Sequence, residues 1–162
     1  MKQKIKERKD LTRIIKNLKA KGKRIIFTNG CFDLLHVGHV RYLEEAKALG
    51  DVLVIGVNSD SSVRKIKGPE RPILPVEERI EILSGLECVD YVAVFNEPDP
   101  LELITSLLPN VLVKGGDWTK EQIVGGEVVE RSGGEVVIIP FIQGVSTSNL
   151  IEIILKRYEK RT

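Results

Sequence analysis

Arg24-Ile25-Ile26-Phe27-Thr28-Asn29-Gly30-Cys31-Phe32-Asp33-Leu34-Leu35-His36-Val37-Gly38-His39 is the stretch on which the fold turns. An apolar, β-branched run suited to a buried strand gives way to a polar turn and then to the opening of a helix. Gly30 is expected to permit a tight turn out of the strand. His36 and His39 are the chain's only 2 histidines. If Val37 or Gly38 opens the helix, both rings lie near one face of its positive N-terminal end, beside backbone N–H groups that lack helical partners. Gly38 has no side chain to keep a phosphate from the backbone there. With Asn29, Gly30, Cys31 and Phe32 in the turn, the junction is a candidate site for a nucleotide's phosphates.

Competing readings of this loop fail on spacing. The chain has neither the Gly-rich Lys-Ser/Thr loop of P-loop proteins nor a G-x-G-x-x-G fingerprint. A zinc site from His36, His39 and Cys31 would find no paired C-x-x-C to complete it, so no protein metal site is expected.

Outward from the junction, the same kind of strand recurs at Val52–Val57, Tyr91–Phe95, Val111–Val113 and Val136–Ile139. Helix-like segments fall near 37–49, 76–86, 99–108, 120–132 and 147–159. Five strands alternating with helices predict an α/β fold, a Rossmann-like doubly wound five-stranded parallel sheet with helices on both faces. Ligands then belong at the carboxyl ends of the strands, where strand order reverses. Ahead of the first strand, residues 1–22 read as an amphipathic, lysine-rich helix and 23–162 as the main domain, within a single domain overall. The helix's basic face reads as solvated surface.

Composition bounds the partners. The 162 residues carry 25 Lys plus Arg against 23 Asp plus Glu, a net charge of +2, which is too balanced for a general nucleic-acid binder. No stretch approaches the length of a membrane helix, and no apolar region follows the basic start, so a cytoplasmic protein without membrane association is expected. The two cysteines, Cys31 and Cys88, suggest reduced thiols and no disulfide framework.

His36-Val37-Gly38-His39 resembles the HxGH motif of the cytidylyltransferase-like nucleotidyltransferase superfamily. Gly144-Val145-Ser146-Thr147-Ser148-Asn149 resembles that superfamily's second signature, a Ser/Thr-rich turn whose hydroxyls cap a helix while its N–H groups face phosphate. More narrowly, Phe27–Asp33, Val57-Asn58-Ser59-Asp60, Lys67-Gly68, Arg71-Pro72-Ile73 and Val113–Trp118 look like the adenylyltransferase domain of bacterial heptose-phosphate enzymes. Some relatives place an arginine just before the Ser/Thr turn, where this chain has Phe141-Ile142-Gln143. That departure leaves backbone amides and hydroxyls as the donors there.

The resemblance implies transfer of AMP from ATP to D-glycero-β-D-manno-heptose 1-phosphate, yielding ADP-heptose and pyrophosphate for lipopolysaccharide core synthesis. Mg²⁺ would arrive with ATP. Catalytic roles fall to His36, His39 and Lys67. Nucleotide binding falls to Asn29, Gly30, Cys31, Phe32, His36, Gly38, His39, Gly144, Ser146, Thr147 and Ser148. Contacts to the acceptor or ribose fall to Asp33, Asn58, Asp60, Arg79, Lys114, Gly115, Asp117 and Trp118. Asp33 would take a metal or a sugar hydroxyl, and Arg79 would reach the active site. No kinase-sized segment is present, so a separate heptose-phosphate kinase would supply the acceptor. The leading helix offers an interface for a homodimer. Two other readings stay open, a cytidylyltransferase acting on glycerol 3-phosphate or another polyol or amino-alcohol phosphate, and a non-catalytic nucleotide sensor.

Overall fold

The computed structural model describes residues 2–116, 118–140 and 144–159. Five parallel strands, β1 (Ile25–Gly30), β2 (Val52–Asn58), β3 (Tyr91–Phe95), β4 (Val111–Gly115) and β5 (Glu135–Ile139), form one sheet in the order β3-β2-β1-β4-β5. Helices α1 (Arg8–Ala20), α2 (Val37–Lys47), α3 (Asp60–Lys67), α4 (Val76–Ser84), α5 (Leu101–Leu107), α6 (Gly126–Arg131) and α7 (Thr147–Tyr158) precede, connect and follow the strands. This is the expected Rossmann-like architecture.

Alternation along each strand splits the core in two. Ile25, Phe27, Val54 and Leu112 join Leu11 and Ile15 of α1, Leu103 and Leu107 of α5 and Val129 of α6 on one face. Ile26, Leu53, Ile55 and Val113 pack with Leu43 and Ala46 of α2 and Leu83 of α4 on the other. The crossovers from β1 through β3 therefore lie on one face and those from β3 through β5 on the opposite one. Same-handed crossovers must change face when the direction of strand addition reverses. That reversal puts the switch point between β1 and β4.

The sheet opens there. Strand β1 pairs with β2 over its whole length, Ile25↔Val52 to Gly30↔Val57, but with β4 only at Ile26↔Val111 and Phe27↔Leu112. Strand β4 stays paired with β5 as far as Gly115↔Ile139. Beyond Phe27 the two central strands part, leaving a crevice at their carboxyl ends.

The leading helix is shorter than its periodicity allowed, and its apolar stripe is used inside the chain. Leu11 and Ile15 are fully buried against α5 and β3, each contributing about 1.5–3 kcal/mol of burial. An interface between copies on α1 would have only its charged face to use. A consecutive run of exposed apolar side chains lies instead on α7, at Ile153, Ile154 and Leu155. Two further differences have local causes. The expected helix over 120–132 breaks into a 3₁₀ turn (Lys120–Gln122) and α6, because Gly125 takes a left-handed φ of 84°. The basic stretch after β2, which falls outside the helix-like segments expected from the sequence, is helix α3, started by the Ser59 hydroxyl accepting from Ser62 N–H.

Candidate active site

Two helix N-termini meet over the crevice. His36 caps α2, its Nδ1 accepting a long 3.4 Å bond from His39 N–H. Ser146 caps α7, its Oγ accepting from Asn149 N–H at 3.1 Å, while Asn149 Nδ2 donates to Gly144 O at 2.7 Å. Gly144 makes this turn at φ 79°. The Thr147 hydroxyl donates to Leu34 O at 3.3 Å, tying α7 to the β1–α2 loop. Thr147 therefore offers a ligand its backbone N–H and not its hydroxyl proton. Gly38 sits where the two termini converge. A Cβ there would lie 3.0 Å from His36 Nδ1 and 3.5 Å from Val145 Cγ1.

The two imidazoles stack, with centroids 3.8 Å apart and planes 23° from parallel. The Phe32 ring lies 5.3 Å from that of His39. Burial, with His36 adding to it, pushes His39 down to about 4, and burial also lowers His36. Both rings are thus neutral at pH 7 without a ligand. His39 Nδ1 is buried and has no hydrogen-bond partner among the described residues.

The turn is built differently from the sequence expectation. Gly30 remains in the extended strand, and Phe32 takes the left-handed conformation, with φ 44°. Glycine is favoured at 30 by contact, since a Cβ there would come within 3.1 Å of the Phe32 ring.

A cleft of about 840 Å³ runs from these helix termini across the crevice. It is lined by Asn29, Gly30, Cys31, Phe32, Gly38, His36, His39, Gly144, Ser146, Thr147 and Ser148 at one end, with Asn58, Lys67, Lys114, Gly115 and Trp118 also on its wall. Lys114 Nζ, on β4, donates to Asn29 Oδ1, on β1, at 3.1 Å, bridging the parted strands. Burial lowers the Lys114 ammonium, with Cys31 pulling the other way. The Cys31 thiol is raised by burial, opposed by the nearby charges of Lys67, Arg79 and Arg71. Trp118 is 46% exposed at the rim, so it does not seal a core edge.

Four expected contacts have other partners. Arg79 is 1% exposed, and its guanidinium donates to Leu74 O, Cys31 O, Asn58 O and Asp60 Oδ1. It braces the ends of β1 and β2 from behind and does not face the cleft. Asp60 is taken by that pair at 2.7 Å, at the start of α3 and away from the cleft lining. Asp33 borders the cleft but is 2% exposed, and its carboxylate accepts from Ile73 N, Leu74 N and Arg71 Nε. Burial pushes its carboxyl up, but the Leu74 and Ile73 N–H groups and the Arg71 guanidinium outweigh it and hold it below the usual carboxylate range. It has no need of a metal or sugar hydroxyl. Asn58 reaches the wall, yet its Nδ2 donates to Ser62 Oγ at 3.0 Å. Asp117 lies outside the described residues, as do Phe141, Ile142 and Gln143.

Residues 27–153 match a family model described as cytidylyltransferase-like. The chain belongs to the cytidylyltransferase-like family. It is 57% identical over 155 residues to the bifunctional protein HldE of Geobacter sulfurreducens, and 56% identical over 155 residues to that of Trichlorobacter lovleyi. Each alignment takes in 96% of this chain and 32% of the relative, so the chain spans about a third of the length of these curated proteins. Among solved structures, a lipopolysaccharide core biosynthesis protein from Thermoplasma volcanium is 29% identical, with a TM-score of 0.63 over 75% of this chain and 98% of that one. A pantoate-beta-alanine ligase from Francisella tularensis, complexed with beta-gamma ATP and beta-alanine, shares the fold at a TM-score of 0.63, covering 96% of this chain and 77% of that one, with 18% identity.

The cytidylyltransferase-like cleft also holds residues to which the sequence assigned no role, chiefly Tyr42, Asp99 and Arg71. Tyr42 carries a signal, since it follows His36 and His39 at the same three-residue step along α2. Its hydroxyl lies 2.6 Å from Thr28 Oγ1 and is pushed up to about 12 by burial. Arg71 was visible only as part of a motif, because its orientation depends on a partner 38 positions away.

Proposed function

We propose that this cytidylyltransferase-like chain is an adenylyltransferase, moving AMP from ATP to a sugar 1-phosphate, with D-glycero-β-D-manno-heptose 1-phosphate as the acceptor. One observation carries the reading. A single cleft joins two convergent helix N-termini and an imidazole pair to a wall bearing Lys67 and Lys114. Anions suit the first end through N–H groups and the helix dipole, and the second through full positive charge. The choice of acceptor is supported by the HldE relatives, by the Thermoplasma neighbour and by the resemblance of the loops to heptose-phosphate adenylyltransferases. The relatives do not favour the cytidylyl alternative.

In the proposed reaction an oxygen of the acceptor phosphate attacks the α-phosphorus. The new P–O bond forms as the bond to the bridging oxygen breaks, and pyrophosphate leaves with the electron pair. The nucleophile is already anionic, so a strong base adds little. What the protein supplies is alignment of two repelling anions and donors for the growing charge. His39 donates to the α-phosphate, His36 to the phosphates beyond it, and Lys67 bridges the transferred group. The amides of Gly38 and of the 144–148 turn hold the leaving pyrophosphate.

Mg²⁺ enters bound to ATP, as part of the substrate. Asp33 is filled by hydrogen bonds, and no group of three or more His, Cys, Asp or Glu is disposed to hold a metal among the described residues. Phosphate oxygens and water suit Mg²⁺ as ligands in such a setting. A heptose-phosphate kinase upstream supplies the acceptor, and the reaction belongs in the cytoplasm. Among the described residues no helix is long and apolar enough to cross a membrane.

The test is a panel of ATP and CTP against sugar 1-phosphates, glycerol 3-phosphate and other polyol phosphates, read by mass spectrometry. ADP-heptose and pyrophosphate are expected from ATP with heptose 1-phosphate. Product only from CTP with a polyol phosphate would overturn the assignment, and nucleotide binding without any turnover would make the chain a sensor.

A further inference from the structure

Arg71 lies on the loop between α3 and α4, where its neighbours hold it from behind. Asp33, with 1% of its side chain exposed, accepts Arg71 Nε at 2.6 Å and also the Ile73 and Leu74 N–H groups at 2.9–3.0 Å. The carboxylate thus fastens both the guanidinium and the backbone that follows it. Only Nε is engaged. The two terminal nitrogens of Arg71 have no protein partner among the described residues, its side chain is 15% exposed, and it lines the cleft. A planar donor pair fixed at its root and open at its tip is suited to bidentate binding of a phosphate.

Charge placement says which phosphate. The triphosphate end of the cleft relies on helix termini and on imidazoles that are neutral without ligand. The other nearby helix start, that of α3, does not serve an anion there, since Asp60 occupies it and is paired to Arg79. An acceptor dianion therefore depends on full cations. Of those on the wall, Lys114 already donates to Asn29, while Lys67 and Arg71 both line the cleft within electrostatic reach of the Cys31 thiol.

The geometry points to Arg71 as the anion ligand for the acceptor's phosphate, and to Asp33 as the positioning residue that aims it. This rests on the proposed reaction for the identity of the acceptor. Arg71→Ala is expected to raise KM for heptose 1-phosphate about 10- to 100-fold, the size of one lost charge-assisted contact, with KM for ATP within about 2-fold of the parent. Arg71→Lys restores part of the loss, since charge returns without the fork. Asp33→Asn moves acceptor KM in the same direction by less and also leaves ATP KM in place, a split that general loosening of the fold would not give. Thermal melts of each variant separate unfolding from either effect.

Calorimetric titration with inorganic phosphate provides an arm independent of turnover, with weaker binding expected for Arg71→Ala than for the parent. If the parent turns over no sugar 1-phosphate, the proposed reaction fails, and weaker phosphate binding by the variant still upholds the ligand role of Arg71. Unchanged acceptor KM and unchanged phosphate binding in a folded Arg71→Ala protein would overturn the inference, as would a rise in ATP KM equal to that for the acceptor.

Discussion

Replacing Arg79 by methionine separates a brace from a ligand contact. The buried guanidinium makes four hydrogen bonds, to the carbonyls of Leu74, Cys31 and Asn58 and to the Asp60 carboxylate. Methionine fills much of the space but leaves all four acceptors without their donor. Removing one member of a buried ion pair costs about 3–5 kcal/mol. The Asp60 side chain is 27% exposed and can turn partly to water, while the three carbonyls keep the cost from falling far below that range. A loss of this size is a large part of the roughly 5–15 kcal/mol that holds a domain together. For a chain of this length it lowers Tm by about 6–20 °C. Urea titration and thermal melts followed by circular dichroism measure it, with steady-state kinetics at a temperature where the variant is folded. Retained turnover by the folded fraction is expected, together with the fall in Tm. A Tm within about 2 °C of the parent and abolished turnover would refute the brace and return Arg79 to the ligand-binding role its place in the motif suggested.

The imidazole pair makes both ligand binding and stability depend on pH. His39 is held at about 4 in the ligand-free protein, below its ordinary value of 6.5; a bound triphosphate pulls it back up, so nucleotide binding takes up protons and tightens as pH falls from about 6.5 towards 4, by at most about tenfold per unit. Calorimetry in two buffers of different ionisation enthalpy reads that uptake, and no uptake beyond the nucleotide's own titration contradicts it. In the ligand-free protein the sign for stability is opposite. Below the unfolded value of about 6.5 the unfolded chain takes a proton that buried His39 refuses, so stability decreases from there towards pH 4, measurable by urea titration across that range. Gly38→Ala places a methyl 3.0 Å from His36 Nδ1 at a helical position that alanine favours, so ATP KM rises about tenfold or more while Tm shifts by a few degrees at most; kinetics and melts check the two halves. Tyr42→Phe removes the partner of a fully buried Thr28 hydroxyl and lowers stability by about 1–3 kcal/mol in urea titration; an unchanged midpoint would show that the Thr28 hydroxyl finds another partner.

Local signals made most of the scaffold and half of the cleft legible. Strands announced themselves as short β-branched runs, and the β1–α2 junction and the Ser146 cap are written in contiguous residues whose chemistry acts within one helical turn. Helix α3 escaped notice because its cap and its one buried apolar residue, Val63, lie among serines and cations that resemble a surface loop. At Gly30 the right residue type was expected for a different reason, since it makes room for a ring two positions on rather than turning the chain.

What amino-acid order alone determined, then, is the alternating α/β plan and the paired helix termini, because propensity, capping and hydrophobic period act over a few residues. Which charged groups face the ligand was decided only in three dimensions. Asp33, Arg71, Asp60 and Arg79 are equally polar on paper, but ion pairs spanning 38 and 19 positions depend on where loops from different strands come together. Burial there forces every charge to find a partner, so one arginine is turned inward and the other, held at Nε by Asp33, keeps only its terminal donors for the cleft.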